Sequence, residues 1–505
     1  MKFPTAFEQY TKALMGEELY ANFKRSMQQE PTAFIRLNYY KNNLAHIIMP
    51  ATQVAWYKYG YALKVRPTFT FDPLWHAGLY YVQEQSSMFL AQIINQLVHQ
   101  PVKMLDMCAS PGGKSTLARI ELPKGSTLIC NEPIPLRAQI LAENVQRCGH
   151  PEVIVTNNYP KDFHRAGLKF DIILCDVPCS GEGMFRKNTS AIDEWSIENV
   201  NKCQQLQREI VAEAWQCLNP GGILIYSTCT FNTKENEENV EWICNKLGAK
   251  TIEINVKEEW NIEKELITIP KSLSHNPSTK EGGVIKSCAN THSSNVPNYN
   301  VQSIHRFIPG YHYSPNNIYG EGLFMVALRK EGNQKNTKDK SNKNKSYNKQ
   351  KQHQVIYPTH WLQQAENFQF EKTDNLLIAI PHTLHSQYLQ AARSLHILSA
   401  GIPLCTQKGK NLIPTEALAL STHLATNAFP HIDLSYNNAL HYLCRNTLTL
   451  PTNAPQGYVL VTYQNVPLGF IKNMGYRANN LYPNEWRIRT THLPKDEEVV
   501  KIVKA

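Results

Sequence analysis

Residues 169–185 read KFDIILCDVPCSGEGMF, and residues 221–231 read GGILIYSTCTF. Each opens with an apolar run long enough for one buried strand and ends in a turn of small residues carrying a cysteine, Cys179 or Cys229. Residues 104–114, MLDMCASPGGK, repeat the strand-to-turn form and add glycines. Around these stretches strands and helices alternate: VKMLDMC, a helix from Ser115, TLICNE, a helix over residues 136–148, EVIVTN, FDIILCD, a helix over residues 200–218, then GGILIYS. The alternation predicts an α/β fold, a doubly wound, Rossmann-like parallel sheet with helices on both faces. Ligands in such sheets bind beyond the carboxyl ends of the strands, so the three turns are where a site belongs. Residues 321–329, EGLFMVALR, read as the strand that closes the sheet at an edge.

A chain of 505 residues exceeds one ordinary core. Residues 1–77 read as a small α+β module: Phe7, Tyr10 and Leu14, then Leu19, Phe23 and Met27, recur at helical spacing, and AFIRLN and YALKVRP follow as short strands. Residues 78–329 hold the sheet, with a Ser/Asn/Thr/Pro-rich surface insertion at 276–300. Residues 330–354 are a basic, low-complexity linker. A mixed subdomain at 355–425 and a strand-rich domain at 426–505 complete the division, the latter with a hairpin around Gln464 and Asn465.

The net charge of +10 is concentrated: residues 329–351 hold eight Lys and one Arg against one Glu and one Asp. That tract attracts phosphates without base specificity, or serves as a plain solvated spacer. No signal-peptide pattern and no apolar run of membrane-spanning length is present, so a cytoplasmic location with no membrane partner is expected, and the chain is read as a monomer. The twelve cysteines lack paired C-x-x-C spacing, so no metal is expected and only cysteines in the turns merit a chemical reading.

In MLDMCASPGGK the glycines let backbone approach a cofactor, and the helix that follows offers free N–H groups to a carboxylate. The next strand ends at Glu132, placed to bind the hydroxyls of a ribose. An adenosine-bearing cofactor fits both features. The thiols narrow it further. Carbon 5 of a pyrimidine is a poor nucleophile until a thiolate adds to carbon 6, after which it can take the methyl group of S-adenosylmethionine. A base must then remove the carbon-5 proton so that the thiol can leave. Two cysteines and one acid suit this cycle, with Asp176 bonding the polar edge of the base; spacing does not say whether Cys179 or Cys229 attacks.

The motifs DMCASPGGK, NE, DVPCSGEGMFRK and STCTF, in this order, resemble the RNA cytosine-5 methyltransferase family of Sun/Fmu type over residues 78–329. The layout, with its NNLYP-x-x-WRI ending, is similar to the bacterial ribosomal-RNA subgroup called RsmF. The resemblance implies that Cys229 attacks and Cys179 promotes release. It implies cofactor contacts from Cys108, Ala109, Ser110, Pro111, Gly112, Gly113, Lys114, Glu132 and Asp176, with Lys114 and Asp176 near the target base. Relatives carry an Asp after the third strand, toward the adenine; this chain has Thr156, Asn157 and Asn158, and either Asn can serve. The C-terminal region resembles a PUA-like RNA-binding domain, which makes ribosomal RNA, or an assembling ribosomal subunit, the implied partner. The alternatives are a transfer-RNA methyltransferase and a non-catalytic RNA-binding assembly factor.

Overall fold

The strands of the sheet are apolar along their whole length because both of their faces are covered. Residues such as Leu105, Ile129, Ile154 and Ile173 have no solvent exposure in the computed structural model. It describes residues 1–41, 46–47, 50–262, 299–310, 320–332, 357–490, 492–497 and 499–503. The insertion read at 276–300, except its last two residues, and the basic tract beyond Gly332 lie outside the described residues. The chain divides into two compact units, each built from separate stretches of sequence.

The larger unit comprises Thr32–Val177, Ile210–Ile225 and Lys330–Ala505. Its central strands are β1 (Lys103–Asp106), β2 (Thr127–Asn131), β3 (Val153–Thr156), β4 (Phe170–Asp176) and β5 (Leu218–Thr228), the last of which ends in the smaller unit. They lie in the order β5-β4-β1-β2-β3. β1 runs parallel to β2 and β4, and β2 parallel to β3. The chain therefore steps outward from β1 to β3, then returns to β4 on the other side of β1. Right-handed crossovers put the connecting helices of the two directions on opposite faces. The reversal leaves a crevice beyond the ends of β1 and β4, the topological switch point of a Rossmann-like sheet. The doubly wound reading holds.

The far edge of this sheet was not legible in the sequence. Ile397–Ala400 pairs antiparallel with β3, so a segment beyond the basic tract covers an otherwise bare edge of wholly buried residues. The strand Tyr80–Val82, past the bound read at residue 77, pairs with Ala33–Leu37 in a four-stranded antiparallel sheet. That sheet shares one core with the C-terminal strands: Ile35, Leu79, Val461, Leu468 and Tyr482 pack together. The hairpin of Gly457–Tyr463 and Val466–Asn473 turns at Gln464 (φ 51°) and Asn465 (φ 59°). Two positive φ values in succession match the twist of the flanking strands.

The smaller unit comprises Met1–Pro31, Pro178–Glu209 and Tyr226–Arg329. Its N-terminal helical run, Thr5–Ser26, is kinked at Gly16 (φ 75°), which is why its apolar pattern falls into two sets. Phe3, Phe7 and Phe23 pack with Phe185, Trp195 and Phe231, whose neighbours in sequence are the two thiol turns. The opening helix thus braces both turns. Leu323–Lys330 is not an edge strand as expected: it lies between Ala249–Ile252 and β5, and Ile304–Phe307 pairs with it as well. Its residues Leu323 to Leu328 are buried almost completely, as an interior strand requires. Lys330, read as the start of the linker, is its last residue.

Candidate active site

In the smaller unit the turns after β4 and β5 bring Cys179 and Cys229 together, 50 residues apart in sequence, with their sulfurs 2.9 Å apart. Both are free thiols and half-buried. The Cys229 N–H donates to Cys179 Sγ at 3.4 Å, and the Gly183 N–H donates to the Cys229 carbonyl at 2.7 Å. Gly183 has no room for a side chain, since a Cβ would come within 2.7 Å of that carbonyl.

Two buried carboxylates hold the turns. Glu182 accepts from the Phe231 and Asn232 N–H groups, the Thr230 hydroxyl, the Asn232 amide and the Trp195 indole. Glu235 accepts from the Ser180 N–H, the Gln207 amide and the Asn232 amide. Each acid bridges the turn after β4 to the segment after β5. Burial, and then the nearby Glu182 charge, push the Glu235 carboxyl up to about 6. The Cys179 thiol is pushed well above its ordinary value, first by its hydrogen bond with Cys229 and then by burial. The two sulfurs are within hydrogen-bonding distance of each other, and either can be the donor.

In the larger unit the loop after β1 is pinned at both sides: the Met107 N–H donates to Leu174 of β4, and the Ala109 N–H to Asn131 of β2. Ser110 and Pro111 are tied to Arg137 and Asn144, and Gly112 takes φ 110°, which only glycine adopts without strain. The helix Gly113–Glu121 starts there. Lys114 Nζ lies 2.9 Å from Asp176 Oδ2. Cys108 sits in the same loop, but burial pushes its thiol far up, so it is no nucleophile. Glu132 is 2% exposed; it accepts from the Ile134 N–H and pairs with Arg137 at 3.3 Å.

The two asparagines after β3 differ in a decisive way. Asn158 uses both ends of its amide on the backbone of His396. Asn157 donates to the carbonyls of Glu132 and Pro133, and its Oδ1 has no partner among the described residues. Among the described residues no group of His, Cys, Asp and Glu could hold a metal ion, and no helix is long and apolar enough to cross a membrane.

Three family models match the chain: the 16S rRNA methyltransferase RsmB/F over residues 93–283, the N-terminal domain of RsmF over 3–85, and the RsmF PUA domain over 429–488. Residues 93–283 thus match the RsmB/F methyltransferase family, and the flanking matches are to domains of RsmF. It is 38% identical to ribosomal RNA small subunit methyltransferase F of Pectobacterium atrosepticum over 33% of this chain and 35% of that one. It is 33% identical to the protein of the same name of Klebsiella pneumoniae over 48% of this chain and 54% of that one. The matches thus span about a third to about half the length of these curated relatives. In fold it is similar to the crystal structure of the protein PH0851, with a TM-score of 0.50, 21% identity, and coverage of 65% of this chain and 66% of that one.

The residues of the β1 crevice fit the S-adenosylmethionine expected from the sequence. Beyond the glycine loop and Glu132, Asp106 is wholly buried, accepts from the Ser115 hydroxyl at 2.6 Å, and its Oδ1 has no hydrogen-bond partner among the described residues. An orphaned acidic oxygen suits a cationic ligand group. Sequence reasoning missed Asp106, Glu182, Asn232 and Glu235. Asp106 reads as one polar residue at the end of a strand, and FNTKENEEN reads as a solvated run; no periodicity marks such residues as buried.

Burial raises the Asp106 carboxyl to about 7, with the Ser115 hydroxyl and the Lys114 charge opposing it. Unfolded, this group ionises near pH 4, so between about pH 4 and 7 the folded chain binds the extra proton, and stability is lost as pH rises through that window. Asp106→Asn keeps the shape and cannot ionise. Chemical denaturation across pH should find wild type losing roughly 4 kcal/mol at most relative to this variant between about pH 4 and 8. A difference that stays flat would mean that Asp106 ionises normally.

Proposed function

We propose that the chain methylates carbon 5 of a cytosine in ribosomal RNA through a covalent adduct on Cys229. The observation that carries this reading is the pair of free thiols 2.9 Å apart at two strand-end turns of a chain whose residues 93–283 match the RsmB/F family. S-adenosylmethionine, when bound, supplies the methyl group. Cys229 as thiolate adds to carbon 6 of the cytosine, and the electrons of the double bond make carbon 5 nucleophilic. Asp176, with Lys114 beside it, holds the polar edge of the base. Once a base has taken the carbon-5 proton, the double bond reforms and the carbon–sulfur electron pair leaves on Cys229. Cys179 keeps its proton and donates a hydrogen bond to the departing sulfur, which lowers the cost of expelling it.

The cofactor is assigned to the loop of Cys108, Ala109, Ser110, Pro111, Gly112, Gly113 and Lys114, together with Glu132, Asp106 and Asp176. Glu132 would take the ribose hydroxyls, with half-exposed Arg137 moving aside. Asp106 would take the ammonium group, and the helix start at Gly113 the carboxylate. Asn157, not Asn158, would meet the adenine, because its Oδ1 is uncommitted.

Glu132→Ala is expected to weaken S-adenosylmethionine binding about tenfold to a hundredfold, the value of a hydrogen bond to a charged group. Calorimetry giving equal affinities would take Glu132 out of the site. The function itself is tested by mapping 5-methylcytosine in RNA from cells with and without the protein. One ribosomal cytosine should lose its mark; loss only in transfer RNA, or no loss, would overturn the reading.

A further inference from the structure

We infer that the C-terminal domain holds one unstacked nucleotide of single-stranded RNA in a groove beside Tyr476, a site that rests on the RNA substrate proposed above. Tyr476 is 80% exposed, the highest figure for any large apolar side chain among the described residues. A ring left so far in water gains nothing for folding.

The backbone fixes its position firmly. Tyr476 lies in the turn between Val466–Asn473 and Ala478–Asn480, which is closed by a 2.8 Å hydrogen bond from the Met474 N–H to the Arg477 carbonyl. Gly475 takes φ 88°, and its N–H donates to Asn473 Oδ1. The Asn473 amide in turn donates to the carbonyls of Ala454 and Pro455 on the opposite wall. The turn is thus tied across the groove, and the ring is presented with little ordering left to do on binding.

The groove has a volume of about 400 Å³, within the range of pockets that take small ligands and enough for one nucleotide. Its lining carries no carboxylate, and its one charge is Arg477. The Arg477 guanidinium sits 5.6 Å from the centre of the Tyr476 ring, so a cation and an aromatic face stand side by side. Gln456 and Thr452 line the same wall and offer hydrogen-bonding groups. A ring for stacking, a cation for a phosphate and polar groups for a base edge are what single-stranded RNA needs, whereas a paired helix offers no free base face.

The test uses the full chain and a fluorescein-labelled, mixed-sequence single-stranded oligoribonucleotide, read by anisotropy. Tyr476→Ala should weaken binding about five- to a hundredfold, the value of one stacked base, and Tyr476→Trp should restore it. Arg477→Ala should weaken binding and flatten its salt dependence. Methylation by Tyr476→Ala should show a raised KM at unchanged kcat. Because the ring is exposed, its loss should leave the unfolding midpoint unaltered. If wild type binds the RNA and Tyr476→Ala binds it equally well, the groove is not the site while the proposed function stands. If wild type binds no RNA, both fail. If a duplex of equal length competes as well as the single strand, the stacking site is overturned.

Discussion

Cys229→Ser is expected to abolish methyl transfer and every covalent protein–RNA adduct. Carbon–sulfur bond formation starts the proposed cycle, and a serine hydroxyl stays protonated at neutral pH and is far less nucleophilic than a thiolate. Cys179→Ala should behave in the opposite way. It leaves the attacking sulfur in place and removes the group that hydrogen-bonds it on departure, so attack and methylation proceed while release fails. A denaturing gel should show this variant as a slow band that contains RNA. The double variant should show none, because release cannot fail where attack never happened. A band from Cys229→Ala and none from Cys179→Ala would reverse the roles of the two thiols.

The second large effect concerns the acid behind the thiols. Glu182→Ala leaves the Trp195 indole, the Thr230 hydroxyl and two backbone N–H groups without this acceptor in a buried place, while the Asn232 amide keeps Glu235. A buried donor left unpaired costs about 1 to 3 kcal/mol, so even with some repair by water the total should reach about 3 kcal/mol or more. Glu182→Gln, which keeps the volume but turns an N–H toward other donors, should fall between the variant and wild type. Chemical denaturation measures both. An unchanged midpoint for Glu182→Ala would mean that the turns are held by their aromatic neighbours and not by the carboxylate.

Local chemistry in the sequence was sufficient to determine the alternation of strands and helices, the small-residue turns after β1, β4 and β5, and the hairpin at Gln464 and Asn465. Each is decided over a few residues: an apolar run makes a strand, glycine permits a positive φ, and adjacent turn residues set a hairpin. Tertiary structure alone decided the partners. Nothing within either turn states that Cys179 meets Cys229, since that contact depends on which strand ends the sheet order brings together. Leu323–Lys330 became interior, and Ile397–Ala400 joined β3, because strand position is set by which distant surfaces each strand covers. Glu182, Glu235 and Asp106 look like ordinary surface acids in the sequence. Their burial, and hence their value, comes with donors supplied by residues up to 55 positions away.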